Sequence, residues 1–321
     1  MSEHQDLYRA IIRTVVYFDL FDYPLTIFEI WKWLWRDGET ATTYREVEEA
    51  LMVEQANSRL HRSGAFWHLA GCERTVTTRE ERHRISIQKL KRACRVANLF
   101  RLLPWIDGIA ACNSLGYRNA SAQSDIDLFI IVRPGTIWLT RFLTVGATAF
   151  AGQRPTTTHT RDTICLSFFV SRDAMNLEPL ALPDGDPYLV YWITQLTPLF
   201  GRGYVWDEFY KANAWVTHYL PNALFTSGEG AWTFRAAATV ASRAPFGCWA
   251  SRQLAGWQHR HLPAILRDKA MVGGTDVVAN EKVLKFHSND RRALYRDRWR
   301  EACSMVMKST SEPRLKVSTV L

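Results

Sequence analysis

The chain has 321 residues, 47% of them hydrophobic, which is enough for two or three domains with packed cores. Its net charge of +8 is compatible with nucleic acid, a nucleotide or a membrane surface as partner, although proteins without such partners often carry a similar excess. The sequence has no run of eighteen uncharged apolar residues and no apolar leader, so we expect no membrane span and no signal peptide. No two cysteines have CxxC spacing, so we expect no zinc site and a cytoplasmic protein with reduced cysteines.

The sequence pattern of residues 1–73 predicts three helices and a hairpin. The segments LYRAIIRTVVYFDLF, IFEIWKWLW and TYREVEEALMVEQANSRL have helical apolar spacing, and Asp22-Tyr23-Pro24 separates the first two. Thr26 and Glu29 form the pattern of a capping box at the start of the second helix. RLHRSGAFWHLAG alternates around Ser63-Gly64, which is typical of a tight hairpin. This order resembles a winged helix-turn-helix domain.

The third helix of such a domain often binds DNA, and a helix that lies along phosphates should be basic. Here it is acidic, which favours a packing or protein-contact role over DNA binding. Basic side chains near the hairpin keep DNA open as a less favoured partner. The acids are Glu46, Glu48, Glu49 and Glu54, and the side chains near the hairpin are His61, Arg62 and His68.

Residues 74–104 predict one long, highly charged helix that links the first domain to the next. Its apolar positions recur on one inward face, from Ile85 through Leu90 to Leu99. The basic side chains on the other face are interpreted as a solvated surface in preference to a track for phosphates.

The most informative stretch is IDGIAACNSLGYRNASAQSDIDLFIIV, from Ile106 to Val132. Its second apolar run opens with Asp125 and Asp127, and residues i and i+2 of a strand point to the same face about 6.5–7 Å apart. Two carboxylates at the end of a buried strand repel each other and lose hydration. A divalent cation relieves that cost, and Mg²⁺ prefers carboxylate and phosphate oxygens.

The turn Asn113-Ser114-Leu115-Gly116 lies eleven residues before that acid pair, counted from Ser114. Small residues at such a turn expose backbone N–H groups that attract anions, and Ser114 adds a hydroxyl. The same end of the predicted sheet therefore offers carboxylates for a cation and donors for a phosphate. The alternative interpretation is that the two acids simply end a strand beside a loop.

This stretch resembles the nucleotidyltransferase superfamily with the polymerase-β-like fold. The shared pattern is an apolar run, a small turn, and Asp-apolar-Asp-apolar on the next strand. The resemblance covers roughly residues 105–170. It implies an NTP substrate, with Mg²⁺ or Mn²⁺ on Asp125 and Asp127 and the phosphates against Asn113, Ser114 and Gly116. No side chain is a convincing general base.

Two positions depart from the family pattern. Asn113 stands where the family has its first glycine, although Asn tolerates the left-handed backbone better than most residues. Many members carry a third carboxylate on the strand that corresponds to Thr163–Val170, which here has none. Three alternatives follow: Asp162, just before that strand, acts as the third metal ligand, or one metal is weakly held, or catalysis has been lost. Ser167 is a candidate residue on the site-facing side of the strand.

Residues 181–308 predict a helical C-terminal region that covers the core. PYLVYWITQLTPLFGRG predicts a helix ending at Gly201 or Gly203. Residues 231–267 are interpreted as a helix over the core in preference to an amphipathic helix at a membrane surface. KFHSNDRR resembles a short motif near the C-terminus of bacterial nucleotidyltransferase-domain proteins, which implies that Lys285 and Arg291 contact phosphates or the second substrate. Residues 309–321 are predicted to be disordered.

The expected fold class is α/β (α+β): a winged-helix-like domain (1–73), a linking helix (74–104), a nucleotidyltransferase core (105–180) and the helical region. The expected function is metal-dependent transfer of a nucleoside monophosphate from an NTP to an acceptor, either protein, RNA or a small molecule. Two alternatives stay open. One is a degenerate nucleotidyltransferase fold that senses nucleotides or binds partners, and the other is a DNA-binding regulator.

Overall fold

The computed structural model describes residues 3–38, 41–54, 59–156, 159–223, 234–236, 245–287 and 289–308. The N-terminal part contains three helices and a two-stranded antiparallel hairpin, as predicted: α1 Glu3–Asp19, α2 Ile27–Lys32, α3 Tyr44–Glu54, β1 Leu60–Ser63 and β2 Phe66–Leu69. The capping box at Thr26 and Glu29 is confirmed, because each residue bonds to the backbone N–H of the other.

In the part of the chain that the structure describes, a mixed seven-stranded sheet forms the centre. Its strands are β3 Ile106–Ala111, β4 Ile126–Val132, β5 Ile164–Ser171, β6 Thr197–Arg202, β7 Phe234–Ala236, β8 Val277–Ala279 and β9 Val283–Phe286, in the order β7-β6-β3-β4-β5-β9-β8. Strands β4 and β5 run parallel, and β4 is antiparallel to β3. The chain is therefore a mixed α/β protein, in agreement with the coarse fold class expected.

The described ranges contain eight further α-helices around the sheet: α4 Arg74–Phe100, α5 Asn113–Gly116, α6 Ile137–Phe150, α7 Pro187–Gln195, α8 Val205–Ala212, α9 Pro245–His261, α10 Ala264–Val272 and α11 Arg292–Lys308. The long linking helix is confirmed as α4. Helix α6 connects β4 to its parallel neighbour β5, which is the crossover that parallel strands require.

The prediction for residues 181–308 needs correction, because four strands of the sheet lie there. The helix predicted to reach Gly201 ends at Gln195, and Thr197–Arg202 is a strand paired with β3. Thr197 precedes Pro198, which disfavours helical backbone, and pairing with a buried strand then outweighs the apolar periodicity. The predicted disorder of the tail concerns residues outside the described ranges, as does part of the segment 231–267.

The two faces of the sheet pack into two separate cores. Leu128 and Ile130 of β4 face α4 and α6, where Leu90 and Trp138 are fully buried. Phe129 lies on the other face, in a core shared with α7, α11 and the N-terminal helices. In the part of the chain that the structure describes, no helix is both long and apolar enough to cross a membrane.

Candidate functional site

Asp125 and Asp127 lie at the start of β4, on either side of the fully buried Ile126. The backbone here is fixed by two hydrogen bonds, from Ile126 N to Thr163 O (2.8 Å) and from Cys112 N to Asp127 O (3.1 Å). Since side chains alternate along a strand, the two carboxylates share the face opposite Ile126. They do converge, and both stay half-buried.

Cys165 completes a group of three potential metal ligands with this pair. It lies on β5 directly opposite Asp127, and one ligand atom from each of the three residues lies within 4.8 Å of the others. From the sequence, Cys165 is only one of the cysteines expected to be reduced, in the apolar strand Thr163–Val170. The signal that would have found it is the parallel register of β4 and β5, which brings a thiol beside an acid.

The electrostatics of the group reflect crowded acids with little water. Loss of hydration, followed by the charge of Asp125, raises the pKa of Asp127 to about 7. Loss of hydration also raises the pKa of Asp125, against hydrogen bonds from its own backbone and Cys165 and the positive charge of Lys89. Burial and the two acids raise the pKa of the Cys165 thiol well above its usual range, so the thiol donates to the acids. The pair therefore retains a proton near neutral pH, and a cation could replace it.

The turn before the acids adjoins them through Asn113. Its backbone is left-handed, with φ of 53°, and its side-chain amide donates to Asp127 while its Oδ1 accepts from Trp192 Nε1 at 2.9 Å. Ser114 is half-buried beside it, and its backbone oxygen accepts from Asn119 N at 2.7 Å. Asn113 thus holds the predicted phosphate turn and the predicted metal ligand in one place.

Gly116 is required for packing. A Cβ atom there would lie 2.8 Å from the backbone oxygen of Gln195, closer than side chains approach in folded proteins. Thr197 Oγ1 also donates to the Gly116 carbonyl at 2.8 Å. The glycine therefore lets the turn approach the end of α7, and its predicted contact with phosphate stays a prediction.

Asp162 lies at the entrance to β5 in an ion pair with Lys89. The Lys89 ammonium of α4 is 2.6 Å from Asp162 Oδ1 and donates to the Ser124 carbonyl at 2.8 Å, so it ties α4 to the loop before the acid pair. Partial burial acts to raise the pKa of Asp162, but Lys89, Arg92 and Arg161 together outweigh it and the net shift is downward. Among the described residues, the ligand group at the acid pair contains Cys165 in place of Asp162, whose role as a ligand stays a prediction.

The KFH segment reaches this site through His287. His287 Nε2 lies 3.2 Å from Ser167 Oγ, and Ser167 in turn hydrogen-bonds the Cys165 thiol. Burial, then the charge of Lys285, lowers the pKa of His287 to about 4, so the ring is neutral at pH 7. The sequence analysis included His287 in the segment without assigning it a role.

Lys285 and Arg292 belong to a buried charge network. Lys285 Nζ donates to the Thr275 carbonyl at 2.5 Å and lies 3.5 Å from Asp290. Arg292, the residue after the predicted Arg291, pairs with Asp290 (2.8 Å) and Asp186 (2.6 Å). Arg291 is half-buried at the start of α11. The contacts of Lys285 stabilise the fold, and phosphate contacts by Lys285 or Arg291 stay predictions.

Several aromatic side chains lie near Asp127. The rings of Tyr188 and Tyr295 stack with centroids 5.7 Å apart, and Phe21 contacts both Tyr117 and Tyr295. Burial raises the pKa of the Tyr117 and Tyr188 hydroxyls, and the charge of Asp127 adds to both shifts. A planar ring bound beside the acids would therefore meet aromatic surface.

Comparisons of this chain with protein-family models, with curated proteins and with solved structures found no match.

Proposed function

We propose that this chain is a divalent-metal-dependent nucleotidyltransferase with a polymerase-β-like core, which transfers a nucleoside monophosphate from an NTP to an acceptor. The observation that carries the proposal is the convergence of Asp125, Asp127 and Asn113 at one end of the sheet. Acids for a cation and a turn for phosphates occupy the same face, as metal-assisted phosphoryl chemistry requires.

The donor set fits Mg²⁺ or Mn²⁺ through its two carboxylates. Asp125 and Asp127 have raised pKa values because they are crowded and poorly hydrated, and a bound cation would remove that penalty. Cys165 is a softer ligand than these ions prefer and suits Zn²⁺ better. We therefore assign the cation to the two acids, with the thiol as a weaker third contact.

In the proposed reaction an acceptor oxygen attacks the α-phosphorus of the NTP, and pyrophosphate leaves. Asp125 and Asp127 would hold the metal, which would supply charge stabilisation at the phosphate oxygens. Asn113 and Ser114 orient the phosphates with side-chain and backbone donors. Lys89 holds the loop that carries Asp125, and Tyr117 and Tyr188 present a surface for the nucleoside or the acceptor.

A second candidate function is favoured by one specific observation. The third position of the ligand group is a protonated thiol, and Asp162 is already paired with Lys89. A site with only two carboxylates holds a second metal weakly. A nucleotide-sensing or partner-binding protein with a degenerate transferase site has the same arrangement.

Label transfer from α-phosphate-labelled NTPs, with Mg²⁺ or Mn²⁺, tests the first function. Acceptors would be the protein itself, an RNA pool, a protein pool and a set of hydroxylated small molecules. The double variant Asp125→Asn/Asp127→Asn removes both carboxylates at nearly constant volume. Asp268→Asn, an exposed acid on α10, is the matched control.

Transfer that is lost in the double variant and kept in Asp268→Asn supports the enzyme. Equilibrium dialysis of the same labelled NTPs separates the remaining outcomes. NTP binding without transfer to any acceptor favours the nucleotide-sensing protein, and the absence of both transfer and binding contradicts the transferase and the nucleotide sensor.

A further inference from the structure

A cavity of about 550 Å³ lies away from the acid pair, between the N-terminal helices and α11. Five segments converge on it, and its size falls in the range of small-molecule sites. The residues that matter below are Arg13, Trp35, Asp184, Arg296, Trp299 and Arg300.

One wall of the cavity is aromatic. Trp35 and Trp299 are each 4% exposed and meet edge to face with centroids 5.0 Å apart. Tyr219 extends the wall, with its centroid 5.1 Å from that of Trp35. Trp299 is fixed in place because its Nε1 donates to the Arg13 carbonyl at 2.8 Å. A planar ligand group would find a rigid surface here.

Arg13 is the charged group that defines the cavity. Its guanidinium lies over both indoles, 5.2 Å from the Trp299 centroid and 6.0 Å from that of Trp35. Within the described ranges it forms no ion pair and donates no side-chain hydrogen bond, although the group carries five N–H donors. A half-buried guanidinium held by stacking keeps its planar edge available for a carboxylate or a phosphate.

The other charges around the cavity differ from Arg13 because each has a partner. Arg300 donates to the Asp184 carbonyl at 2.5 Å, and Arg296 lies 2.9 Å from Asp297. Asp186 is neutralised by Arg292 at 2.6 Å. The remaining carboxylates of Asp37 and Asp184 are 54% and 75% exposed, so water screens them. Three arginines and three aspartates line the cavity, so selectivity for an anion depends on the available guanidinium of Arg13 and not on the net charge of the lining.

We propose that this cavity binds a small organic anion, with its carboxylate or phosphate on Arg13 and its planar part against Trp35 and Trp299. This site is separate from the proposed transferase site and does not depend on nucleotidyl transfer. The stacked guanidinium selects the negative group, and the indoles select a flat apolar body of limited size.

Saturation-transfer NMR titrations of the full-length protein, in EDTA, test the proposal with four probes. Phenyl phosphate and phenylacetate carry the two anionic groups, while benzyl alcohol and benzylamine are their neutral and cationic counterparts. We expect both anions to saturate, with dissociation constants on the order of 1 mM for fragments of this size. The tighter anion identifies the preferred group, and the neutral and cationic probes should bind at least tenfold more weakly.

Arg13→Gln should weaken anion binding at least tenfold, whereas Arg9→Gln, one turn earlier on the exposed side of α1, should leave it unchanged. Asp125→Asn/Asp127→Asn should also bind normally, since the sites are separate. The proposal is overturned if neither anion saturates, if benzyl alcohol or benzylamine binds as tightly, or if a folded Arg13→Gln variant binds like the wild type. The comparison of the four probes on the wild-type protein tests the proposal even if Arg13→Gln does not fold.

Discussion

Replacing Asp127 by asparagine tests the electrostatics of the site without any substrate. The pKa of Asp127 is raised from 3.8 to about 7 by lost hydration and by Asp125. A raised acid pKa means that the folded state holds the proton more tightly than the unfolded state. The free energy of unfolding therefore falls as the pH rises from about 4 to 7, and the full penalty is present above pH 7.

The size of the effect follows from the shift. Each pKa unit is worth about 1.4 kcal/mol, so a shift of this size gives at most about 4 kcal/mol, and the partial exposure of the side chain reduces it to about 2–4 kcal/mol. Asp127→Asn keeps the shape and removes the charge. Relative to the wild type, we expect the variant to have similar stability at pH 4 and to be about 2–4 kcal/mol more stable at pH 8.

Urea unfolding in EDTA, followed by tryptophan fluorescence at pH 4 to 8, measures the difference between the two proteins. Asp19→Asn is the matched comparison, because burial raises the pKa of Asp19 to about 6 beside Cys72, away from the acid pair. Added Mn²⁺ at pH 8 should stabilise the wild type and Asp19→Asn, and leave Asp127→Asn almost unchanged. Parallel stability curves for wild type and Asp127→Asn would refute this account of the site.

Three further outcomes are expected. Gly116→Ala should destabilise the protein by about 1–3 kcal/mol in thermal melts, because the new methyl group meets a backbone oxygen at 2.8 Å. The control is Gly146→Ala, a helical position with open space, which should stabilise the protein by up to about 1 kcal/mol. Lys89→Ala should cost about 1–3 kcal/mol in urea unfolding, because it removes the ion pair with Asp162 and the hydrogen bond to the Ser124 carbonyl. Replacing the exposed Lys91 by alanine should change the stability by no more than about 0.5 kcal/mol. Cys165→Asp should bind Mg²⁺ at least tenfold more tightly than the wild type, as measured by calorimetry, because a carboxylate replaces the thiol. An unchanged affinity would show that residue 165 is not a metal ligand.

Local patterns predicted local structure well in this chain. The capping box at Thr26, the hairpin at Ser63-Gly64 and the strand that opens at Asp125 all depend on residues close in sequence. The four strands beyond residue 180 were not predicted, because they are short and are stabilised by pairing with distant strands. Periodicity alone cannot distinguish a short buried strand from the end of an apolar helix.

The composition of the site was predictable only in part, for a related reason. Asp125 and Asp127 were predicted from their i, i+2 spacing at the start of one strand. Cys165 and Lys89 join them only through the β4–β5 register and the packing of α4, which short sequence motifs do not encode. The same dependence on tertiary structure brings His287 to Ser167 across 120 residues.

The charges around the acids distinguish the two candidates for a third ligand. If Asp162 moved to the acid pair, the ammonium of Lys89, 3% exposed, would lose its carboxylate partner inside the protein, which costs several kcal/mol. Cys165 needs no movement, since its thiol already hydrogen-bonds both acids. It needs only to lose a proton, and a bound cation lowers the pKa of a coordinating thiol. The metal preference of the site should therefore depend on residue 165, and Asp162 should affect that preference mainly through its effect on the position of Lys89.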